Sequence, residues 1–174
     1  MSKIELINDS CIEQEVDAIV NAANGYMAHG GGVARAILLK AGAELNEACR
    51  KYDLPINDGE VIVTPAFNIK NAKIIIHAVG PDFGRTPEAF DKLFNAYYNS
   101  LVAVKDNNYH SISFPLISSS IFGGRLENPV RESTKQCLAA YKKFISDYPE
   151  YDIDVKLCAY SSLEMEEASK EMGI

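Results

Sequence analysis

Apolar and polar positions along the chain change period several times, and each change marks an element. "KIEL" near the N-terminus alternates polar and apolar residues as a half-buried strand does, and "VDAIVNAA" at 16–23 is a short apolar run of the kind a buried strand shows. Val33, Ala34, Ile37, Leu38 and Ala41 then recur at helical spacing up to Gly42, a suitable C′ residue. A second helix is expected from Ala43 to Tyr52, ahead of Pro55. "GEVIVTPAF" and "AKIIIHAVG" are two β-rich runs parted by the turn-like "NIKNA". From Pro87 to Asp106, Phe90, Leu93, Phe94, Tyr97, Leu101 and Val104 keep the spacing of an amphipathic helix, with Thr86 as its cap and Pro87 at its first position. A strand at "SISFPLI", a helix from Pro129 to Ser146, a strand at "DVKLCAY" and a helix from Leu163 to Met172 follow. Strands alternate with helices through most of the chain, which predicts an α/β fold with a mostly parallel or mixed sheet and helices on both faces.

Composition bounds this picture without altering it. With 174 residues, 47% of them hydrophobic and 24% charged, the chain is expected to form one globular domain, residues 1–174, burying roughly 70% of its unfolded surface. No linker or internal repeat interrupts it. "MSKIELINDSC" lacks the basic run and apolar core of a signal peptide, and no apolar stretch approaches the ~18 residues that span a bilayer, so a cytoplasmic protein without membrane partners is expected. Cys11, Cys49, Cys137 and Cys158 are scattered, with no C-x-x-C pair and no clustered histidines, so the spacing suggests neither a zinc site nor a disulfide framework. A net charge of −7 and a pI near 5.0 oppose general nucleic-acid binding through a basic surface. Any anion would have to be held by backbone N–H groups.

Two loops have the composition for that. "NAANGYMAHGGG" leaves the strand at 17–22 and runs into a helix N-terminus, whose dipole favours an anion, and "ISSSIFGG" leaves the strand at 112–117. In an open α/β sheet such loops lie outside the carboxyl ends of the strands, where ligands bind. Neither familiar glycine motif fits: G-x-G-x-x-G begun at Gly30 meets Arg35, and the phosphate loop begun at Gly25 meets Gly31 where lysine is required. Read alone, the triple glycine fits a phosphate cradle and a tight turn equally well.

"VDAIVNAAN" at 16–24, "HGGGVARAI" at 29–37, "GEVIVTPAFNI" at 59–69, "IIHAVGP" at 75–81 and "PLISSSIFGG" at 115–124 resemble, in order and spacing, the macro domain. The likeness extends from about residue 4 to residue 172. It implies a three-layer αβα sandwich with a mixed, mostly parallel central sheet and a cleft for ADP-ribose, with no cofactor and no metal. Carried over by position, Asp17 matches the acid that accepts from the adenine amino group, with Ala18 beside it, and Asn24 matches the side chain on the distal ribose. Gly30, Gly31, Gly32 and Val33 match the first phosphate loop, and Ser118, Ser119, Ser120, Ile121 and Gly123 the second. Phe122 matches the aromatic residue against the distal ribose and Tyr160 the one that packs on adenine.

The chemistry of these residue types leaves alternatives beside each role. An acid selects an exocyclic amine over a keto group, and equally caps a turn, at Asp17. Asn24 offers donors and an acceptor to ribose hydroxyls, or an Asx turn to its own loop. Tyr160 offers a face to a base or to the core. His29 could orient ribose or water or act as a spacer, while His77, within an apolar strand, reads as a structural histidine.

The resemblance also implies an activity, removal of ADP-ribose from modified proteins or metabolites. The catalytic set is then Asn24, His29, Gly32 and Phe122, with a phosphate-held water attacking and no nucleophilic side chain. Ala34 stands where one hydrolase branch has an aspartate, so the chain is more similar to the archaeal and viral "HGGGVA" type. Ser120 stands where relatives usually carry glycine, and a serine there is strained if the position needs positive φ. An ADP-ribose reader without catalysis and an ADP-ribose 1″-phosphate phosphatase use the same cleft. A monomer whose only partner is ADP-ribose or an ADP-ribosylated acceptor is expected.

Overall fold

The computed structural model describes residues 1–174. Its strands are β1 (Lys3–Ile7), β2 (Ala18–Ala23), β3 (Val61–Pro65), β4 (Ile74–Val79), β5 (Ser111–Phe114) and β6 (Asp154–Cys158). They form one sheet in the order β1-β6-β5-β2-β4-β3. All neighbours are parallel except β3 and β4, the one pair joined by a short turn instead of a helical crossover. Pro65 closes β3 on the sheet's edge, where a missing N–H costs no ladder bond.

The helices are α1 (Gly32–Ala41), α2 (Glu44–Cys49), α3 (Phe90–Asp106), α4 (Pro129–Asp147) and α5 (Ser162–Met172). The pleat of the central strands decides which helices cover which face. Ala18 and Val20 of β2 and Ile74, Ile76 and Ala78 of β4 point into a core shared with α3 and α4. Ile19, Ala23, Ile75 and Val79 point the other way, into a smaller core shared with α1 and α2. Both faces of β2 and β4 are thus mostly apolar, interrupted on the α1/α2 side by the buried pair Asn21 and His77, and the fold is a three-layer α/β sandwich with a mixed sheet. α5 packs along α4 and touches β1.

Element ends follow local chemistry. α4 starts at Pro129 behind Asn128, whose Oδ1 accepts from Arg131 N at 3.0 Å. α5 opens on a capping box, Ser161 with Glu164, and closes at Gly173 in the left-handed conformation. α3 differs from its expected start. Thr86 donates its hydroxyl and its N–H to Asp82 O, so it shapes the 82–86 turn instead of capping, and the helix begins at Phe90. The helix expected over Ala43 to Tyr52 is confined to six residues, and β5 stops before Pro115. No helix is long and apolar enough to cross a membrane.

Candidate functional site

Because β1, β2, β4, β5 and β6 run in one direction, their carboxyl ends lie along one edge of the sheet. The loops leaving them enclose a cleft of about 970 Å³. Asp9 enters it after β1, Asn24 and the glycines after β2, Gly80 after β4, residues 115–122 after β5 and Tyr160 after β6.

One wall is the start of α1. Gly31 is its N-cap and no side chain caps the helix, so its first N–H groups face the cleft without intrahelical partners. The three glycines differ in what they require. Gly32 has φ +57°, a left-handed value, whereas Gly31 is extended at φ −168°. A Cβ on Gly30, Gly31 or Gly32 would meet no protein atom within 4 Å. The protein's own packing does not require these side chains to be absent, and the space they leave belongs to the cleft.

The opposite wall is residues 115–122, held from behind by a closed hydrogen-bond set. Ser133 Oγ donates to Ile117 O at 2.6 Å, so the Tyr97 hydroxyl must donate to Ser133 Oγ, also 2.6 Å away, and its oxygen accepts from Ile117 N at 3.0 Å. Tyr97 and Ser133 are fully buried, on α3 and α4. The left-handed residue in this loop is Ser118, with φ 58°, its hydroxyl donating to Pro81 O at 2.7 Å. Ser120 has φ −108°, so the positive φ that would strain a serine at this position is absent. Gly80 lets the wall at 115–122 pack against the end of β4: a Cβ there would collide with Ser118 Oγ and come within 2.5 Å of Ile117 Cγ2.

The cleft brings together most of the residues expected at the site. Asn24, Gly30, Gly31, Gly32, Val33, Ser118, Ser119, Ser120, Ile121, Phe122 and Tyr160 all line it. Ile121 and Tyr160 stand at its rim, 87% and 73% exposed. Gly123 is buried just behind the wall, where a Cβ would press on Pro129 at 2.9 Å. Asn24 makes the Asx arrangement: Oδ1 accepts from Tyr26 N and Ala28 N, and Nδ2 donates to Ala28 O at 2.9 Å. One Nδ2 hydrogen is left for the cleft.

Three expectations require correction. Asp17 precedes β2, at the opposite end of the strand from the cleft, and its carboxylate accepts from His110 N at 2.9 Å and pairs with Lys73 at 3.3 Å. Ala18, the first residue of β2, is wholly buried in the core. Asp9, Glu13 and Glu164 are the acids that line the cleft; Glu164 is engaged in the α5 capping box, while Asp9 is exposed two residues beyond β1, with one carboxylate oxygen accepting from Ser10 N at 2.7 Å. Its signal in the sequence is an acid directly after a strand that runs toward the loops. His29 also leaves the cleft: it is 8% exposed and lies behind the glycine loop, against the His77 ring. Burial lowers its pKa from the usual histidine range, and Asn46 only partly opposes this.

No side chain in the cleft is an activated nucleophile. Cys158 lines it, yet burial pushes its thiol up to about 12, with the Asp9 carboxylate adding to the shift. Cys11 is raised as well, again chiefly by burial. The site can offer backbone donors, a helix terminus, the acids Asp9, Glu13 and Glu164, and aromatic faces.

Comparison with known proteins agrees with this geometry. The family model described as Macro domain matches residues 20–143. An uncharacterized protein of Saccharolobus solfataricus is 46% identical over 125 residues, 70% of this chain and 68% of that protein. The O-acetyl-ADP-ribose deacetylase of Salmonella typhimurium is 34% identical over 151 residues, 84% of this chain and 82% of that enzyme. Among solved structures, a mutant Oceanobacillus iheyensis macrodomain with ADPR superposes with a TM-score of 0.88 at 32% identity, covering 99% of this chain and 92% of that one.

Proposed function

The chain belongs to the Macro domain family, and on that premise we propose that its cleft binds ADP-ribose and that water in the cleft releases ADP-ribose from an acyl acceptor, an acidic protein side chain or an O-acyl group. One observation carries the reading: three successive glycines open into the cleft at an uncapped helix N-terminus, with nothing of the protein near the side chains they lack. Backbone amides there hold a diphosphate without a basic residue. The Salmonella deacetylase and the ADPR-bound macrodomain support the choice of ligand.

In this reading the diphosphate lies between the start of α1 and residues 118–122. Asp9 accepts from the adenine amino group and Tyr160 covers the base. Asn24, through its remaining N–H, and Phe122 set the distal ribose. The acyl leaving group is already stable as a carboxylate, so the protein's part is orientation and charge stabilisation of an attacking water. That division suits a cleft without an activated nucleophile. The full engagement of Asn24 Oδ1 in its own loop favours the second reading, an ADP-ribose reader that does not hydrolyse.

Calorimetric titration with ADP-ribose, followed by a release assay on a protein automodified at acidic side chains, tests both. Saturable one-site binding with release supports the hydrolase. Binding without release supports the reader, and absence of binding overturns both.

A further inference from the structure

Directly behind the glycine loop, His29, Cys49 and His77 bring two ring nitrogens and a sulfur within 4.8 Å of one another. The chain supplies them from three places: the residue before Gly30, the last residue of α2 and the middle of β4. All three are buried, Cys49 and His77 at 2% and 0% exposure. We propose that His29, Cys49 and His77 bind one divalent transition-metal ion of the zinc class, which ties the phosphate-facing glycine loop to the sheet.

Two observations converge on this cluster. The first is the donor set: a thiol and two imidazoles suit zinc and its neighbours, whereas magnesium and calcium take oxygen. The second is an unpaired group. Neither buried ring nitrogen of His29 makes a hydrogen bond of good geometry, although the nearby Asn46 side chain acts on the ring in the opposite sense to burial. A buried imidazole left so pays the desolvation of both nitrogens, and a cation on one of them removes most of that cost.

The surroundings provide what a metal-bound histidine requires. His77 Nε2 lies 3.9 Å from Cys49 Sγ, and its Nδ1 faces the Asn21 side-chain amide at 3.0 Å. The structure places Asn21 Nδ2 against Nδ1; turning that amide over brings its unpartnered Oδ1 to the ring, so that Nδ1–H donates to it and Nε2 offers its lone pair to the ion, the usual support of a metal-ligating imidazole. Thr64 Oγ1 now lies 2.9 Å from His77 Nε2 in hydrogen-bonding geometry, so the ion must displace this hydroxyl, which can then hold a water in the fourth position. Tetrahedral binding brings donors to roughly 3.5 Å of one another, so the widest separation must close by about 1 Å. Cys49 must lose its proton; burial pushes its thiol up to about 11, and coordination to a divalent ion removes that proton. Thiolate, two neutral imidazoles and a divalent ion leave one positive charge behind the loop. In a protein of net charge −7, that charge favours an anion on the loop's other side.

The test uses the metal-stripped full chain without ADP-ribose. Titration with Co²⁺ is expected to give one ion per chain, a thiolate-to-cobalt charge-transfer band and the intense d–d bands of a four-coordinate site. Cys49→Ser is expected to lose the charge-transfer band and bind at least tenfold more weakly, while Cys137→Ser, whose thiol lies in the other core, keeps it. X-ray absorption of the wild-type Zn²⁺ form, which needs no variant, is expected to show one sulfur in a nitrogen and oxygen shell. A folded protein that takes up no Co²⁺, a cobalt spectrum without thiolate character, or a zinc shell without sulfur overturns the proposal. All these readouts are independent of ADP-ribose binding.

Discussion

A carboxylate that accepts a backbone N–H and sits beside a lysine belongs to the fold, and Asp17 is such a group. Burial pushes its pKa up, but the His110 N–H and the Lys73 ammonium outweigh this and leave it below the usual 3.8. The ionised form is therefore the one that stabilises the native state. Its contribution is complete above pH 3.8 and is lost as pH falls below that value toward the lower native pKa. Asp17→Asn should cost about 1 kcal/mol at neutral pH and flatten the acid limb of stability, read from urea unfolding at a series of pH values. It should leave ADP-ribose affinity unchanged. Asp9→Asn should do the reverse, weakening ADP-ribose about tenfold with no change in unfolding midpoint, because the exposed side chain holds only the adjacent Ser10 N–H. The two acids carry the same chemistry, and only the direction of their strands tells them apart. "VDAIV" gave Asp17 prominence, whereas Asp9 follows a short strand that marks no motif, so this part of the site was not legible from residue types. His29 was illegible for a related reason: a loop histidine beside glycines reads as exposed, yet the loop folds its side chain inward.

At the scale of elements, the start of α1 and the wall at 115–122 do different work, and substitutions separate them. Gly31 is extended and opens into empty space, so Gly31→Val should keep the fold, with an unfolding free energy within about 1 kcal/mol of wild type. The added side chain occupies the proposed diphosphate position, and ADP-ribose binding should fall more than tenfold by calorimetry. Tyr97→Phe acts from behind the other wall. It leaves Ile117 N–H and one Ser133 lone pair without their partner and should cost about 1 to 3 kcal/mol. Faster amide exchange is expected over residues 115–122 than over β2 or β4. The elements themselves were legible wherever period and cap agreed, as at α4, where Pro129 follows Asn128. They were misjudged where a side chain served a turn, as Thr86 does. The supporting triad of Tyr97, Ser133 and Ile117 could not be read at all, since its members come from different elements and carry no shared spacing.

For the molecule as a whole, the mixed sheet and its covering helices place the carboxyl ends of its five parallel strands at the cleft, while the charge balance decides how an anion gets there. A net charge of −7 repels a diphosphate at long range, and the donors proposed to hold it are backbone amides at a helix terminus. Binding through lysines and arginines weakens steeply with salt. Here added salt screens repulsion between protein and ligand, while the short-range amide contacts persist. ADP-ribose affinity should thus stay level or rise by no more than about threefold between 50 and 500 mM NaCl, measured by calorimetry at constant pH. Excess duplex DNA should not compete, because it lacks a terminal group that fits between α1 and residues 118–122 and meets the same repulsive surface. A tenfold fall in affinity over that range would mean that basic side chains, and not the glycine loop, hold the phosphates.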